Sequence, residues 1–311
     1  MDTVTHALAG TLIAHAGFRQ RMGWVATVAL TVSAAAPDLD AVPRLGDTAY
    51  YLSHHRGITH SFVGGAILAL FLAAIFYRFS THKHYWRLAG LCSLGVLSHI
   101  VLDLFTSYGT RILLPFSSRR IAWDSLFIID IFVSGIILGG ILLAYRFKPH
   151  SIRIGRTALA LIASYILLAV VSHGMALARL RGQVERGGIA AIRLAAFPMP
   201  FGPLRWSGVV ATEEATYHNI FSLLDAEDRP FRVYHPPRNN PLLTRAEEHD
   251  VVALFRWFAR FPIITVHEDG DGTVVEYFDL QFGQIEGRRP FLLEVVFDQH
   301  GKPQFARFAR R

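Results

Sequence analysis

The chain of 311 residues is unusually apolar: 52% of its residues are hydrophobic, 18% are charged, and its net charge is +7. Soluble globular chains carry about 25% charged residues, so this composition argues against an ordinary cytosolic enzyme and excludes a disordered or collagen-like chain. The single cysteine, Cys92, excludes a disulfide framework within the chain and a zinc site rich in cysteine.

Acidic residues divide the chain near residue 175. Seven aspartates and no glutamate precede this point, and the other 17 of the 24 acidic residues follow it. The first part is therefore poor in acids, whereas the second has the composition of a soluble domain. We predict a membrane-embedded domain over residues 1–175, a linker over 176–203 and a soluble domain over 204–311, which are ordinary domain lengths.

Six apolar stretches in the first part predict helices. The first two, 4–18 and 24–36, are short for a membrane span and could form a tilted or re-entrant pair. The other four, 62–79, 88–105, 126–145 and 157–172, approach the length of about 17–25 residues that a spanning helix needs. The prediction is an α-helical polytopic membrane domain of about five or six helices. A single, very apolar soluble helical domain is the alternative.

The second part predicts a small α+β, mainly antiparallel domain. Alternating β-branched and aromatic residues indicate strands at about 207–212, 217–223, 231–234, 263–266, 273–282 and 291–297. Asp269 to Gly272 reads as a hairpin turn. Helical spacing covers 244–258, with Thr244 and Glu247 as a capping box. The scattered histidines here indicate no catalytic group.

Positive charge predicts the orientation of the membrane domain. With six helices, one set of loops carries nine Lys and Arg residues and the other set carries five. Because positive loops favour the cytoplasm, the second set, both termini and the soluble domain are expected on the outer side of a bacterial inner membrane. All seven aspartates and five histidines fall on or near this outer side, which suggests a polar site at the membrane surface.

Two short patterns carry acidic side chains on that side. His99 and Asp103 are four residues apart, so on a helix they share one face and could hold a metal ion, or they could form a hydrogen-bonded pair that serves packing. Asp38 and Asp40 follow Pro37 at the end of the second helix. Both carboxylates could point into one pocket, or they could cap a helix.

A third pattern is rich in histidine. Residues 54–61, His-His-Arg-Gly-Ile-Thr-His-Ser, offer three imidazoles for a metal and one guanidinium suited to gripping a phosphate. A solvated histidine-rich loop is the alternative. Thr5-His6 repeats the Thr59-His60 pair near the amino terminus, although a lone His6 could equally be structural.

Together these patterns resemble a known family. Thr5-His6, Pro37 to Asp40, His55 to Ser61, and Ser98-His99 with Asp103 and Thr106 resemble the YdjM-type family of bacterial inner-membrane, predicted metal-dependent hydrolases. The resemblance covers about residues 1–175 and implies an integral inner-membrane protein with a metal-dependent hydrolase site. More loosely, these patterns also resemble zinc-dependent phospholipase C and related nucleases. The C-terminal domain resembles no family that we recognise.

If these residues act together, they predict a metal site. Its ligands are His6, Asp38, Asp40, His60, His99 and Asp103. We expect one or two divalent ions, zinc first, with manganese or magnesium as alternatives, and a water activated for attack on a phosphoryl group. Arg56 would stabilise the developing charge and His55 would protonate the leaving group. The location at the lipid–water interface suggests a phosphoester in a lipid or lipid-linked substrate.

Two other functions remain open from the sequence. The histidines and aspartates could bind a translocated ion in a transporter, or they could form a structural metal site in a non-catalytic membrane scaffold. The lipid bilayer is the partner that the composition predicts, and protein partners are not identified. No glycine-rich nucleotide loop occurs, so no nucleotide cofactor is expected, and no nucleic acid is expected as a partner.

Overall fold

A computed structural model describes residues 1–44, 46–237, 240–270, 272–283 and 289–309. The chain forms two compact units. The helical unit comprises residues 1–45, 54–171 and 200–203, and the sheet unit comprises residues 46–53, 172–199 and 204–311. A short segment near residue 50 therefore packs with the sheets, although it lies within the helical part of the sequence.

Eight helices precede the first strand in the described residues. In chain order they are α1 (Thr3–Ile13), α2 (Arg19–Met22), α3 (Trp24–Ala35), α4 (Thr48–His54), α5 (Phe62–Phe79), α6 (Tyr85–Leu104), α7 (Ile131–Arg146) and α8 (Ser151–Arg186). A π-helical turn (Ala14–Phe18) follows α1, and 3-10 segments cover Ala36–Arg44 and Ile58–His60. These 3-10 segments follow α3 and precede α5, and they carry several of the polar residues considered below.

The helical unit is apolar enough to be embedded in a membrane. By length and composition, four segments can cross a bilayer, namely Trp24–Val42, Phe62–Phe79, Tyr85–Leu104 and Lys148–Arg186. The apolar helix α7 is shorter. The predicted polytopic helical domain is thus confirmed as a fold.

Small residues allow the central helices α1, α3 and α6 to pack closely. A Cβ atom on Gly10 of α1 would lie 2.9 Å from Ala34 Cβ, and one on Gly95 of α6 would lie 2.8 Å from Ser33 Cβ. Close backbone approach of this kind stabilises helix pairs in apolar surroundings, where the hydrophobic effect contributes little. It also brings together the ends of these helices that carry the polar patterns.

Two helix predictions need correction. The fifth helix begins at Ile131 and not at residue 126, because Asp130 caps it by accepting hydrogen bonds from the backbone of Phe132 and Val133. The other carboxylate oxygen of Asp130 accepts from Tyr165 Oη at 2.9 Å. The sixth helix, predicted for 157–172, extends over 36 residues as α8.

The sheet unit contains two antiparallel four-stranded sheets with strand orders β1-β2-β3-β4 and β5-β6-β7-β8. The strands are β1 (Arg193–Pro198), β2 (Arg205–Ala211), β3 (Thr216–Ser222), β4 (Arg232–Tyr234), β5 (Pro262–Asp269), β6 (Gly272–Asp279), β7 (Leu293–Phe297) and β8 (Pro303–Phe308). This confirms the predicted mainly antiparallel α+β fold. Gly270, at φ +60°, lies in the predicted hairpin turn between β5 and β6, whereas Asp271 lies outside the described residues.

Two details of the second part differ from the prediction. Residues 176–203, predicted as a linker, contain the last turns of α8 and the edge strand β1, where Pro198 can end the ladder without loss. The helix predicted for 244–258 is two helices, α9 (Pro241–Glu247) and α10 (Asp250–Phe258). Asn240 caps α9 and Pro241 occupies its first turn, so the expected capping box at Thr244 does not form.

Apolar contacts anchor each sheet to a helix of the same unit. Leu180 of α8 packs with Trp206 of the first sheet, and Phe255 of α10 packs with Tyr277 of the second. The segment 46–53 joins the second sheet through Tyr51, whose ring stacks on Phe291 at 6.2 Å. Phe291 also contacts two other aromatic rings of the unit, Phe258 and Phe282.

Candidate metal centre

Four buried side chains converge where α3, α5 and α6 begin or end. Asp38 lies in the 3-10 segment after α3, His60 directly precedes α5, and His99 and Asp103 lie in the last turns of α6. Each of the four offers one nitrogen or oxygen, and all these atoms lie within 4.8 Å of one another. We call this group the four-donor centre.

The donor atoms have the spacing of a coordination sphere. His60 Nε2 and His99 Nε2 are 3.0 Å apart. Asp38 Oδ1 lies 3.5 Å from His60 Nε2 and 3.4 Å from His99 Nε2. Asp103 Oδ2 lies 3.5 Å from each of the two nitrogens. A tetrahedral ion with ligands at 2.0–2.2 Å requires donors about 3.3–3.6 Å apart. The four nitrogen–oxygen distances lie in this range and the two nitrogens are slightly closer, so these residues fit a metal such as zinc.

Hydrogen bonds fix the tautomers of both histidines. His99 Nδ1 donates to the carbonyl oxygen of Ala34 at 2.6 Å, because that oxygen can only accept. His60 Nδ1 lies 3.0 Å from Thr59 Oγ1, whose own hydrogen is donated to Asp40 Oδ2, so Nδ1 carries the proton and donates it to the hydroxyl. In the neutral rings both Nε2 atoms then direct lone pairs at each other, an arrangement that a shared cation stabilises.

Each of the two carboxylates likewise uses one oxygen for bonds to the protein and turns the other towards the centre. Asp38 Oδ2 accepts from Thr3 Oγ1 at 2.6 Å, which leaves Oδ1 for the centre. Asp103 Oδ1 binds Arg56 Nη2 at 2.8 Å and is also contacted by the Met1 amino group. Asp103 Oδ2 is buried without a hydrogen-bond partner among the described residues. Each acid therefore has one oxygen held by protein donors and one aimed at the centre.

Asp40 lies behind His60. Its Oδ2 accepts from Thr59 Oγ1 at 2.9 Å and from the Arg56 backbone at 3.1 Å, and it faces His60 Nδ1. Its Oδ1 lies 2.9 Å from His55 Nδ1, and burial lowers the pKa of His55. Asp40, His55 and His60 form a second group that could hold an ion, but His60 would have to use its outer nitrogen there.

Arg56 is buried and contacts both the four-donor centre and the second group. It is 1% exposed, and its guanidinium binds Asp103 and donates to Thr106 Oγ1 at 2.7 Å. Its backbone has φ 57°, a left-handed conformation that costs about 1 kcal/mol or more for a non-glycine residue. The bonds to Asp40 and Asp103 stabilise this conformation. The sequence predicted that Arg56 contacts a substrate, whereas the structure places it against a predicted ligand.

His6 lies beside the centre and is not one of its four donors. Its ring stacks on that of His99 with centroids 3.6 Å apart, and its Nε2 lies 3.1 Å from Asp103 Oδ1. The structure thus brings all six predicted ligands together, in three kinds of position. Sequence reasoning missed Thr3 and the carbonyl of Ala34, since nothing in a sequence marks a backbone carbonyl as a histidine partner.

Comparison with known proteins covers both parts of the chain. The YdjM inner membrane protein family matches residues 1–176. The "Uncharacterized protein YfhP" of Bacillus subtilis (strain 168) is 25% identical over 307 residues, which are 95% of this chain and 90% of the relative. No solved structure matches the chain.

Proposed function

Because the chain belongs to the YdjM inner membrane protein family, we propose that it is a membrane-bound, metal-dependent hydrolase with its metal at the four-donor centre. One observation carries the proposal: two imidazole nitrogens and two carboxylate oxygens converge at 3.0–3.5 Å, each on a side chain anchored at its other polar atom. Buried polar atoms are costly unless they are paired, so this convergence suits a bound cation.

The donor set favours zinc, with manganese or magnesium as alternatives. A bound ion would polarise a phosphoryl oxygen and supply an activated water. The chain positions the groups around it: the Nδ1 bonds of His60 and His99 turn their Nε2 atoms towards the centre, and Arg56 holds Asp103 in place. We assign proton transfer to the leaving oxygen to His55, whose ring is oriented by Asp40 at 2.9 Å.

Location supports a lipid substrate. The four-donor centre lies at the ends of helices that can cross a membrane, and it is flanked in sequence by exposed apolar side chains, with Leu39 63% and Ile58 52% exposed. Such a position suits a phosphoester whose phosphate lies at the interface while its chain stays in the bilayer. From the excess of positive charge in the opposite loops, we place the site and the sheet unit on the outer side of the inner membrane.

A structural metal site is the second candidate, and one observation favours it. Four protein donors fill a tetrahedral ion, as in structural zinc sites, whereas catalytic zinc usually keeps one position open. Hydrolysis would therefore need a fifth position at zinc or a six-coordinate ion. In the structural case the protein would be a membrane scaffold.

Metal content and hydrolysis, measured together, test the proposal. Purified wild type is analysed by mass spectrometry beside His99→Ala and beside His150→Ala, which alters an exposed histidine outside the centre. Each protein is then assayed for phosphate release from phosphatidic acid in mixed micelles. We expect metal and hydrolysis in wild type and His150→Ala, and neither in His99→Ala. The scaffold would be favoured if the metal is stoichiometric, X-ray absorption shows four protein ligands and no bound water, and no hydrolysis occurs. Absence of metal would reject both the hydrolase and the structural metal site.

A further inference from the structure

A narrow groove runs along α5 and α6 beside the four-donor centre. It encloses about 200 Å³ and is lined by one face of each helix, from Phe62 to Ala69 on α5 and from Ser93 to Ile100 on α6. On both helices the lining positions follow the spacing i, i+3, i+4 and i+7, which places them on one stripe. Ser93 is the single polar residue of the lining, and no charged residue takes part.

The groove starts at the metal end of the helices. Phe62 follows His60 by two residues, and Ile100 directly follows His99. From there the lining continues for seven residues along each helix, about 10 Å at a rise of 1.5 Å per residue. Gly65 makes room near the start, since a Cβ there would lie 3.0 Å from Ile100 Cδ1. The groove therefore runs from the helix ends that carry the metal ligands along the apolar length of α5 and α6.

We infer that this groove holds the hydrocarbon chain of the substrate, so that the substrate is a phospholipid or another long-chain phosphate ester. The inference rests on the proposed function, because it takes the phosphate to lie at the four-donor centre. A lipid at the interface has its phosphate at the surface and its chain directed inwards. The groove has the same course and an apolar lining, and it begins at the ends of α5 and α6 that carry His60 and His99.

Photolabelling tests the inference without relying on turnover. The full-length protein is reconstituted in phosphatidylcholine vesicles with phosphatidic acid that carries a photoreactive diazirine in its chain. Labelled residues are then mapped by mass spectrometry. We expect labelling concentrated in residues 62–69 and 93–100, with competition by unlabelled phosphatidic acid and not by added phosphatidylcholine. Even labelling of all lipid-facing helices, or equal competition by the two lipids, would overturn the inference.

Filling the groove provides the matched comparison. Ala66→Phe fills it from α5, and Ala74→Phe places the same ring at an exposed position of that helix outside the lining. We expect at least fivefold weaker labelling in Ala66→Phe and no change in Ala74→Phe. Ser93→Leu obstructs the groove from α6 and should act like Ala66→Phe. Equal labelling in Ala66→Phe, Ser93→Leu and Ala74→Phe would reject the groove.

The two proposals fail separately. Groove labelling that persists in a wild-type protein without metal or hydrolysis would reject the hydrolase and leave a lipid site. Metal-dependent hydrolysis that is equally fast for long-chain and short-chain phosphate esters, without groove labelling, would reject the groove and leave the hydrolase.

Discussion

Replacing Asp40 tests whether this residue orients a ligand or is itself a ligand. Asp40 accepts from two groups through Oδ2, which also faces His60 Nδ1, and it faces His55 through Oδ1. In Asp40→Asn the amide oxygen can keep the Oδ2 position, while the amide group donates to His55 in its other tautomer. His60 then keeps its orientation and loses the neighbouring charge. Loss of such a partner costs about 10–100-fold in metal affinity, and we expect the lower end, about tenfold or 1.4 kcal/mol.

Asp40→Ala removes both oxygens, and we expect about 100-fold weaker binding for it. Zinc affinity is measured by competition with a fluorescent chelator in detergent, and the number of ions at saturation is measured by mass spectrometry. Asp47→Asn, at an exposed acid of the same chain, is the control and should bind like wild type. Each variant should still bind as many ions as wild type. A drop from two ions to one in Asp40→Asn would show that Asp40 is a ligand, and unchanged affinity in Asp40→Ala would refute the orienting role.

Two further outcomes concern stability. Arg56→Gln leaves the buried carboxylate of Asp103 without its main ion pair and removes the bond to Thr106, so we expect a loss of about 3–5 kcal/mol. Thermal unfolding followed by intrinsic fluorescence checks this, and a wild-type midpoint would contradict it. Burial next to Ser207 lowers the pKa of His218 from 6.5 to about 4. Between these two values the unfolded chain binds more protons than the folded one, so the free energy of unfolding of the sheet unit should fall by about 3 kcal/mol as pH drops from 6.5 to 4. His218→Asn should flatten this dependence in acid-unfolding curves, and an unchanged slope would argue against it.

The part of the site that lies on a helix could be predicted from the sequence. His99 and Asp103 are separated by one helical turn, and both reach the same centre because α6 is regular there. Asp38 and Asp40 behave differently because they lie in a 3-10 segment. With three residues per turn, residues two apart are rotated by about 240°, so their side chains point about 120° apart. One therefore faces the centre and the other faces the back of His60, a division that depends on the local backbone.

Other features depend on distant parts of the chain. The burial of Arg56 follows from its pairing with Asp103, 47 residues away, so the sequence pattern alone favoured a substrate contact. The strand β1 lies in a stretch rich in proline and small residues that reads as a linker, and it forms because β2 supplies a full antiparallel partner. In both cases the tertiary partner, and not the local sequence, decides the structure.

The position of α4 bears on how the protein can be cut or recombined. Residues 46–53 stand between Asp40 and His55 in the sequence, yet Tyr51 finds its aromatic partner in Phe291. A fragment that ends at residue 176, the limit of the family match, would keep the metal ligands and lose the ring on which Tyr51 stacks. Chimaeras that join this helical part to an unrelated C-terminal part would have the same defect. The two parts are thus expected to be inherited together, in keeping with a relative whose match covers 95% of the chain.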